Sequence, residues 1–154
     1  MEKNEQCNNV GFIQAIVKFT RSFSFEETKS VLTIKTSKTM RFFWEPEPSF
    51  WIVLTVNVPF ELKEKDKKEF FEYFPDDVHE SVYEAVLKKA YMHFRIFSNT
   101  FESNMIGDEM EEKLQNLRTK LDTFYTRFLL TINLQNADII DAVSVMTAER
   151  FESH

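Results

Sequence analysis

The longest apolar run of the chain lies at residues 50–60, FWIVLTVNVPF. Phe50, Ile52, Leu54, Val56, Val58 and Phe60 alternate with Trp51, Val53, Thr55, Asn57 and Pro59. That two-residue period, in β-branched and aromatic residues, predicts a strand. One face is apolar throughout. The other begins apolar at Trp51 and Val53 and turns polar at Thr55 and Asn57, as suits a strand inside a sheet with one face covered and the other partly so. Pro59 has no N–H to give to a ladder, so pairing is predicted to end there.

Around this strand the periodicity alternates between helical and extended. Residues 9–23 read as an amphipathic helix: Val10, Ile13 and Val17 form one row and Phe12, Ile16, Phe19 and Phe23 another, together a wide apolar arc. Residues 30–36 (SVLTIKT) and 40–45 (MRFFWE) read as two strands joined by a turn at 36–39, with Met40, Phe42 and Trp44 on one side. Glu45-Pro46-Glu47-Pro48 is expected to break the sheet before the long strand begins. Three strands with short connections predict an antiparallel meander. Residues 61–72, ELKEKDKKEFFE, mix charges without an apolar period and read as a solvated loop or helix fringe anchored by Phe70, Phe71 and Phe74.

Two further helices follow. The first is expected over 77–97, opened by Pro75-Asp76-Asp77, with Val78, Val82, Ala85, Val86, Ala90, Phe94 and Phe97 as its buried stripe and His93 beside it. The second carries the cleanest periodic row, Met110, Leu114, Leu117, Leu121, Phe124, Phe128 and Ile132, and is expected to pack on the preceding helix or the sheet. Residues 138–145, DIIDAVSV, fit either helix or strand, and 147–154 read as a polar tail. The element order predicts a mixed α/β (α+β) domain spanning 1–146, an antiparallel meander with helices on its faces.

Composition narrows the function classes. The 154 residues include 17 Phe and 2 Gly, so an aromatic core is expected and a glycine-rich phosphate loop is not. A net charge of −6 disfavours non-specific nucleic-acid binding. The basic-aromatic run Arg41-Phe42-Phe43-Trp44 resembles a stacking platform for single strands, but its alternation fits a strand with Phe42 and Trp44 inward and Arg41 and Phe43 outward. Cys7 is the single cysteine, which fits a reducing, cytoplasmic setting. Three histidines (His79, His93, His154) and one cysteine cannot readily supply a zinc site, and the acid pairs Glu26-Glu27, Asp76-Asp77 and Glu111-Glu112 read as solvated surface. No nucleophile, P-loop or metalloprotease motif occurs. No catalytic, cofactor or metal residue is assigned, and the residues point to a protein-interaction domain.

Four segments in order add a resemblance: EKNEQCNNVGFIQAIVKFTRSFS, RFFWEPEPSFWIVLTVNVPFE, SVYEAVLKKAYMHFRIFSNTF and KLDTFYTRFLLTINLQNADIIDAV. Together they resemble the first longin domain of the Ccz vacuolar fusion family. The most specific pieces are Gln14-Ala15-Ile16-Val17-Lys18-Phe19-Thr20 and Phe42 to Trp51. The resemblance implies a longin fold whose leading two strands are missing from this chain, which would leave the strand at 50–60 on an open edge. It implies pairing with a Mon-type longin subunit, and non-covalent guanine nucleotide exchange on a Rab GTPase of late endosomes or vacuoles. Membranes would be met only indirectly, through partners, and nucleic acid not at all. Phe12, Ile16 and Phe19 on the first helix and Val31, Thr33 and Lys35 on the edge strand are the expected partner surface. A longin-type adaptor for other trafficking or ciliary proteins, without exchange activity, is the alternative.

Overall fold

The computed structural model describes residues 31–133 and 140–147, together with the single positions Gly11 and Ala15. The chain divides into two compact units, Met1–Ser30 and Val31–His154. In the first, Gly11 and Ala15 are helical and exposed, and the rest of the helix expected over 9–23 lies outside the described residues. The second unit carries the sheet, a separate hairpin and two long helices.

Four strands form one antiparallel sheet: β1 (Leu32–Lys35), β2 (Thr39–Glu47), β3 (Phe50–Asn57) and β6 (Ile140–Thr147), in the order β1-β2-β3-β6. The predicted meander is β1 to β3. Its first turn is tied by the Thr36 amide to the Thr39 carbonyl at 2.8 Å and by the two threonine hydroxyls at 2.9 Å. β3 ends before Pro59, as its missing donor requires.

Two sheet expectations are corrected. β3 is not an open edge. The segment at 138–145, undecided between helix and strand, supplies β6, which pairs with β3 from Phe50↔Thr147 to Val56↔Ile140. The neighbour that the resemblance assigned to a leading strand is thus provided from the C-terminal side, and the apolar ladder of β3 is satisfied on both sides. The Glu45–Pro48 breaker also yields in part: β2 continues through Pro46 to Glu47. Between the pairs Trp44↔Ile52 and Glu47↔Phe50 the register shifts, with one extra residue on β2. β1 pairs no further along β2 than Phe43. Pro46 therefore sits at a bulge on an unflanked stretch, where a missing donor costs little.

Residues 61–72 are not a loop. They belong to a separate hairpin, β4 (Phe60–Lys65) and β5 (Lys68–Tyr73), joined by Asp66-Lys67. Both turn residues have positive φ, 53° and 62°, the backbone of the primed turns that match strand twist. Neither Asn nor Gly marks the turn, and residues 60–71 are all exposed, so no buried apolar face marks the strands. Phe70 and Phe71 are no anchors either, being 43% and 56% exposed. Phe74 is half-buried.

Helix α1 (Glu80–Ser98) begins later than expected. Pro75–Asp77 close a single 3-10 turn, after which Val78 turns extended and drops into the core at 5% exposure. The buried face of α1 is also rotated from the predicted stripe. Leu87, Ala90, Tyr91 and Phe94 are buried, whereas Val82 and Phe97 are 54% and 78% exposed and Ala85 is exposed. Helix α2 (Met110–Asn133) buries Leu117, Leu121 and Tyr125, with Phe124, Phe128 and Ile132 partly covered and Met110 exposed.

The core lies between the sheet and these helices. Phe42, Ile52, Leu54 and Val56 from the strands meet Leu87 and Phe94 of α1 and Leu117 of α2. It is as aromatic as the composition implies: the Phe94 ring lies 5.1 Å from Phe101 and 5.4 Å from Phe124. Phe43 and Val53, opposed in register on the other sheet face, are also buried. With Phe42 and Phe43 inaccessible, the run 41–44 presents no stacking platform.

Candidate interaction surfaces

Among the described residues β1 is one border of the four-stranded sheet and pairs with β2 alone, which leaves one row of backbone groups along Leu32–Lys35 outside that ladder. Register decides which way its side chains point. Thr33 stands opposite Phe42 and Lys35 opposite Met40, so both share the face on which α1 packs. Lys35 forms an ion pair with Glu80 in the first turn of α1. Val31, on the same face, is buried at 2% exposure, and Thr33 is half-buried. Leu32 and Ile34, half-buried, occupy the opposite face. Of the three residues expected to meet a partner here, Val31 just before β1 and Thr33 and Lys35 within it, Lys35 alone has an exposed side chain. Phe12, Ile16 and Phe19 lie outside the described residues.

Next to this border, Tyr83 stacks on Phe42 at 5.9 Å, and burial pushes the pKa of its hydroxyl up. β1, the Tyr83 ring and the Lys35–Glu80 pair thus hold the start of α1 against the sheet.

The end of β2 is fixed by a buried carboxylate that sequence reasoning assigned only to a breaker. Glu47, 9% exposed, accepts the Tyr91 hydroxyl at 2.8 Å and the Phe101 amide at 2.7 Å on Oε1, and the Glu102 amide at 3.1 Å on Oε2. The two amides open the 3-10 turn Glu102–Asn104, where unpaired N–H groups favour an anion. Burial first, and the Glu47 carboxylate second, push the Tyr91 hydroxyl up to about 12. Tyr91 is 6% exposed, so the pair is a brace closed to solvent.

Asn104 braces the same connection from the other side. Its amide donates to the Ser98 and Thr100 carbonyls at the end of α1, and its oxygen accepts Lys120 Nζ of α2 at 2.6 Å. Asn99 takes the positive φ, 69°, that ends the helix. Among the described residues no group of His, Cys, Asp or Glu side chains is placed to hold a metal ion, and no helix is long and apolar enough to cross a membrane.

The family model described as the first longin domain of INTU, CCZ1 and HPS4 matches residues 1–99. Over 141 residues the chain is 38% identical to the vacuolar fusion protein CCZ1 homolog of Xenopus tropicalis, an alignment covering 92% of this chain and 29% of that protein. The homolog from Nematostella vectensis is 33% identical over 141 residues, with 90% and 29% covered. That of Dictyostelium discoideum is 27% identical over 139 residues, with the same shares. The chain therefore spans less than a third of the length of these relatives. No solved structure matches it significantly. The antiparallel sheet backed by two helices and the match over residues 1–99 agree, and the chain belongs to the family of first longin domains of INTU, CCZ1 and HPS4.

Proposed function

We propose that this chain serves as the first longin domain of a subunit in a heterodimeric guanine nucleotide exchange factor, acting on a late-endosomal or vacuolar Rab GTPase in vesicle-mediated transport and membrane fusion. The observation that carries the reading is the similarity to vacuolar fusion proteins along 92% of the chain. The partner is a Mon-type longin subunit. Two separate segments are proposed to meet it: residues 9–23, expected from their sequence to be helical, through Phe12, Ile16 and Phe19, and the sheet border at 31–35 through Val31, Thr33 and Lys35. Val31 acts there by holding the strand to the core, Lys35 by reaching the partner.

Exchange by such a pair is non-covalent. The two domains bind the nucleotide-free GTPase more tightly than the GDP-bound form, and only that difference in affinity moves the equilibrium toward release. No side chain need donate a proton or attack a bond. The chain reaches late-endosomal, lysosomal or vacuolar membranes from the cytoplasm through its partners. The family also takes in INTU and HPS4, which keeps an adaptor role without exchange activity as the second reading.

The test is to mix the purified chain with a Mon-type longin subunit and follow association, then labelled-GDP release from a panel of Rab proteins. Association with accelerated release from a late-endosomal Rab is the expected result. Association without release from any Rab selects the adaptor reading, and failure to associate overturns the subunit assignment.

A further inference from the structure

Helices α1 and α2 leave an open groove of about 1280 Å³ between them. Its floor is apolar: Ile96 and Phe97 of α1 face Phe124 and Phe128 of α2. Ile96 is 71% exposed and Phe97 78%, large apolar side chains left in water. The rings nevertheless form an ordered row, with Phe97 6.5 Å from Phe124, Phe124 6.2 Å from Phe128, and His93 5.8 Å from Phe128. Scattered exposed apolar residues are ordinary, but a contiguous set between two helices marks a contact surface.

The rim has one sign. Lys89, Arg95, Lys120 and Arg127 line the groove, and among the described residues no Asp or Glu does. The chain as a whole has 25 acids against 19 Lys and Arg, so this is a local separation of charge. Among the described residues none of these four cations forms an ion pair. The pairs there are Lys35–Glu80 and Lys63–Glu72, and neither includes a residue that lines the groove. Lys120 bonds the neutral amide of Asn104, which leaves its charge uncompensated.

We propose that this groove docks an acidic amphipathic helix of a protein partner. Its apolar stripe would cover the Ile96, Phe97, Phe124 and Phe128 floor, and its carboxylates would meet the four rim cations. The walls are helices whose backbone groups bond within the helix, so they offer no edge for an added strand. An apolar trough between helices is the shape that receives a helix face. Along α2 the lining runs from Thr119 to Ile132, roughly 20 Å at 1.5 Å per residue, the length of a helix of three to four turns. The described lining of the groove comes from α1, the Asn99 that ends it, and α2, so the inference holds whether or not the chain takes part in nucleotide exchange.

The test uses the full chain and two fluorescein-labelled synthetic helices of about 13 residues, matched to the groove length. One carries a Leu/Phe stripe flanked by Glu, and its twin has every Glu replaced by Lys. Fluorescence anisotropy is read at low and physiological salt for the native chain, for Phe97→Ser, and for the double variant Lys89→Glu with Arg127→Glu. All three substituted positions are exposed, and circular dichroism checks that each variant folds. The acidic helix should bind, weaken with salt, and lose about tenfold or more in affinity with either variant. The basic twin should bind the native chain poorly and the double variant better. Equal binding of both helices, binding unchanged by the variants, or no binding of the acidic helix overturns the proposal. Binding to phosphatidylserine vesicles that the double variant abolishes, with neither peptide bound, also overturns it and assigns the groove to a lipid surface.

Discussion

The carboxylate of Glu47 accepts the hydroxyl of Tyr91 at 2.8 Å across 44 positions of sequence, and so joins the bulged end of β2 to the middle of α1. The same carboxylate receives the amides of Phe101 and Glu102, so one side chain ties strand, helix and the following turn together. Glu47→Ala strands two buried donors and one part-buried donor at once and should cost about 3 kcal/mol in urea unfolding, mostly as a desolvation penalty. Tyr91→Phe removes one donor and keeps the ring against Trp44 and Phe101, and should cost about 1 kcal/mol. The double variant should cost less than the sum of the two, because both substitutions break one shared bond.

Stability should fall at alkaline pH through the same pair. The Tyr91 hydroxyl ionises near 10.0 when unperturbed and is pushed up to about 12 in the folded chain. Between those values the folded state holds a proton that the unfolded state has lost, so the slope of unfolding free energy with pH is negative. The contribution is fully present below pH 10 and gone above about 12. Tyr83 and Tyr125 are raised by burial as well and act in the same direction. Thermal melts from pH 9 to 12 should show a falling midpoint for the native chain, and Tyr91→Phe should fall less steeply over that window.

The β4–β5 hairpin is held by a turn in which Asp66 is tolerated and Lys67 is ill suited to a positive φ. Asp66 and Lys67 both take positive φ, and the left-handed region costs an ordinary L-residue about 1 kcal/mol. Asp66→Asn with Lys67→Gly supplies the pair that primed turns favour. That change should slow amide hydrogen exchange across residues 60–73 several-fold, while exchange in β2 and β3 stays as it is. Faster exchange in the hairpin would contradict the turn geometry.

Lys35 separates folding from partner binding at the β1 border. Its ion pair with Glu80 is solvent-exposed, so Lys35→Ala should change unfolding free energy by less than about 1 kcal/mol. If the border meets a Mon-type longin subunit, the same change should weaken that association well beyond its effect on stability, as titration calorimetry would read. A loss confined to stability would remove Lys35 from the partner surface.

The chain's local chemistry settles its local elements. Alternation in Phe50–Asn57 and Leu32–Lys35 specifies strands, because a two-residue period puts one apolar face toward a core whatever that core is. The row from Leu117 to Ile132 specifies a helix for the same reason at the helical period. Longin family membership was legible too, since the order of several core segments carries it.

Tertiary structure decided the rest. α1 is apolar over a wide arc, and either the Val82–Phe97 side or the Leu87–Phe94 side could have been buried. Packing on β2 and β3 selected the second and left Ile96 and Phe97 to line a groove. The hairpin carries no buried apolar face over its exposed residues 60–71, and among the described residues its strands are defined by pairing with each other. The partner of β3 arrives only after both helices have been laid down, and a ladder between distant segments has no local signal. Glu47 follows the same logic. An acid between two prolines reads as a break, and it becomes a brace only when the fold brings Tyr91, Phe101 and Glu102 within hydrogen-bond reach of its two oxygens.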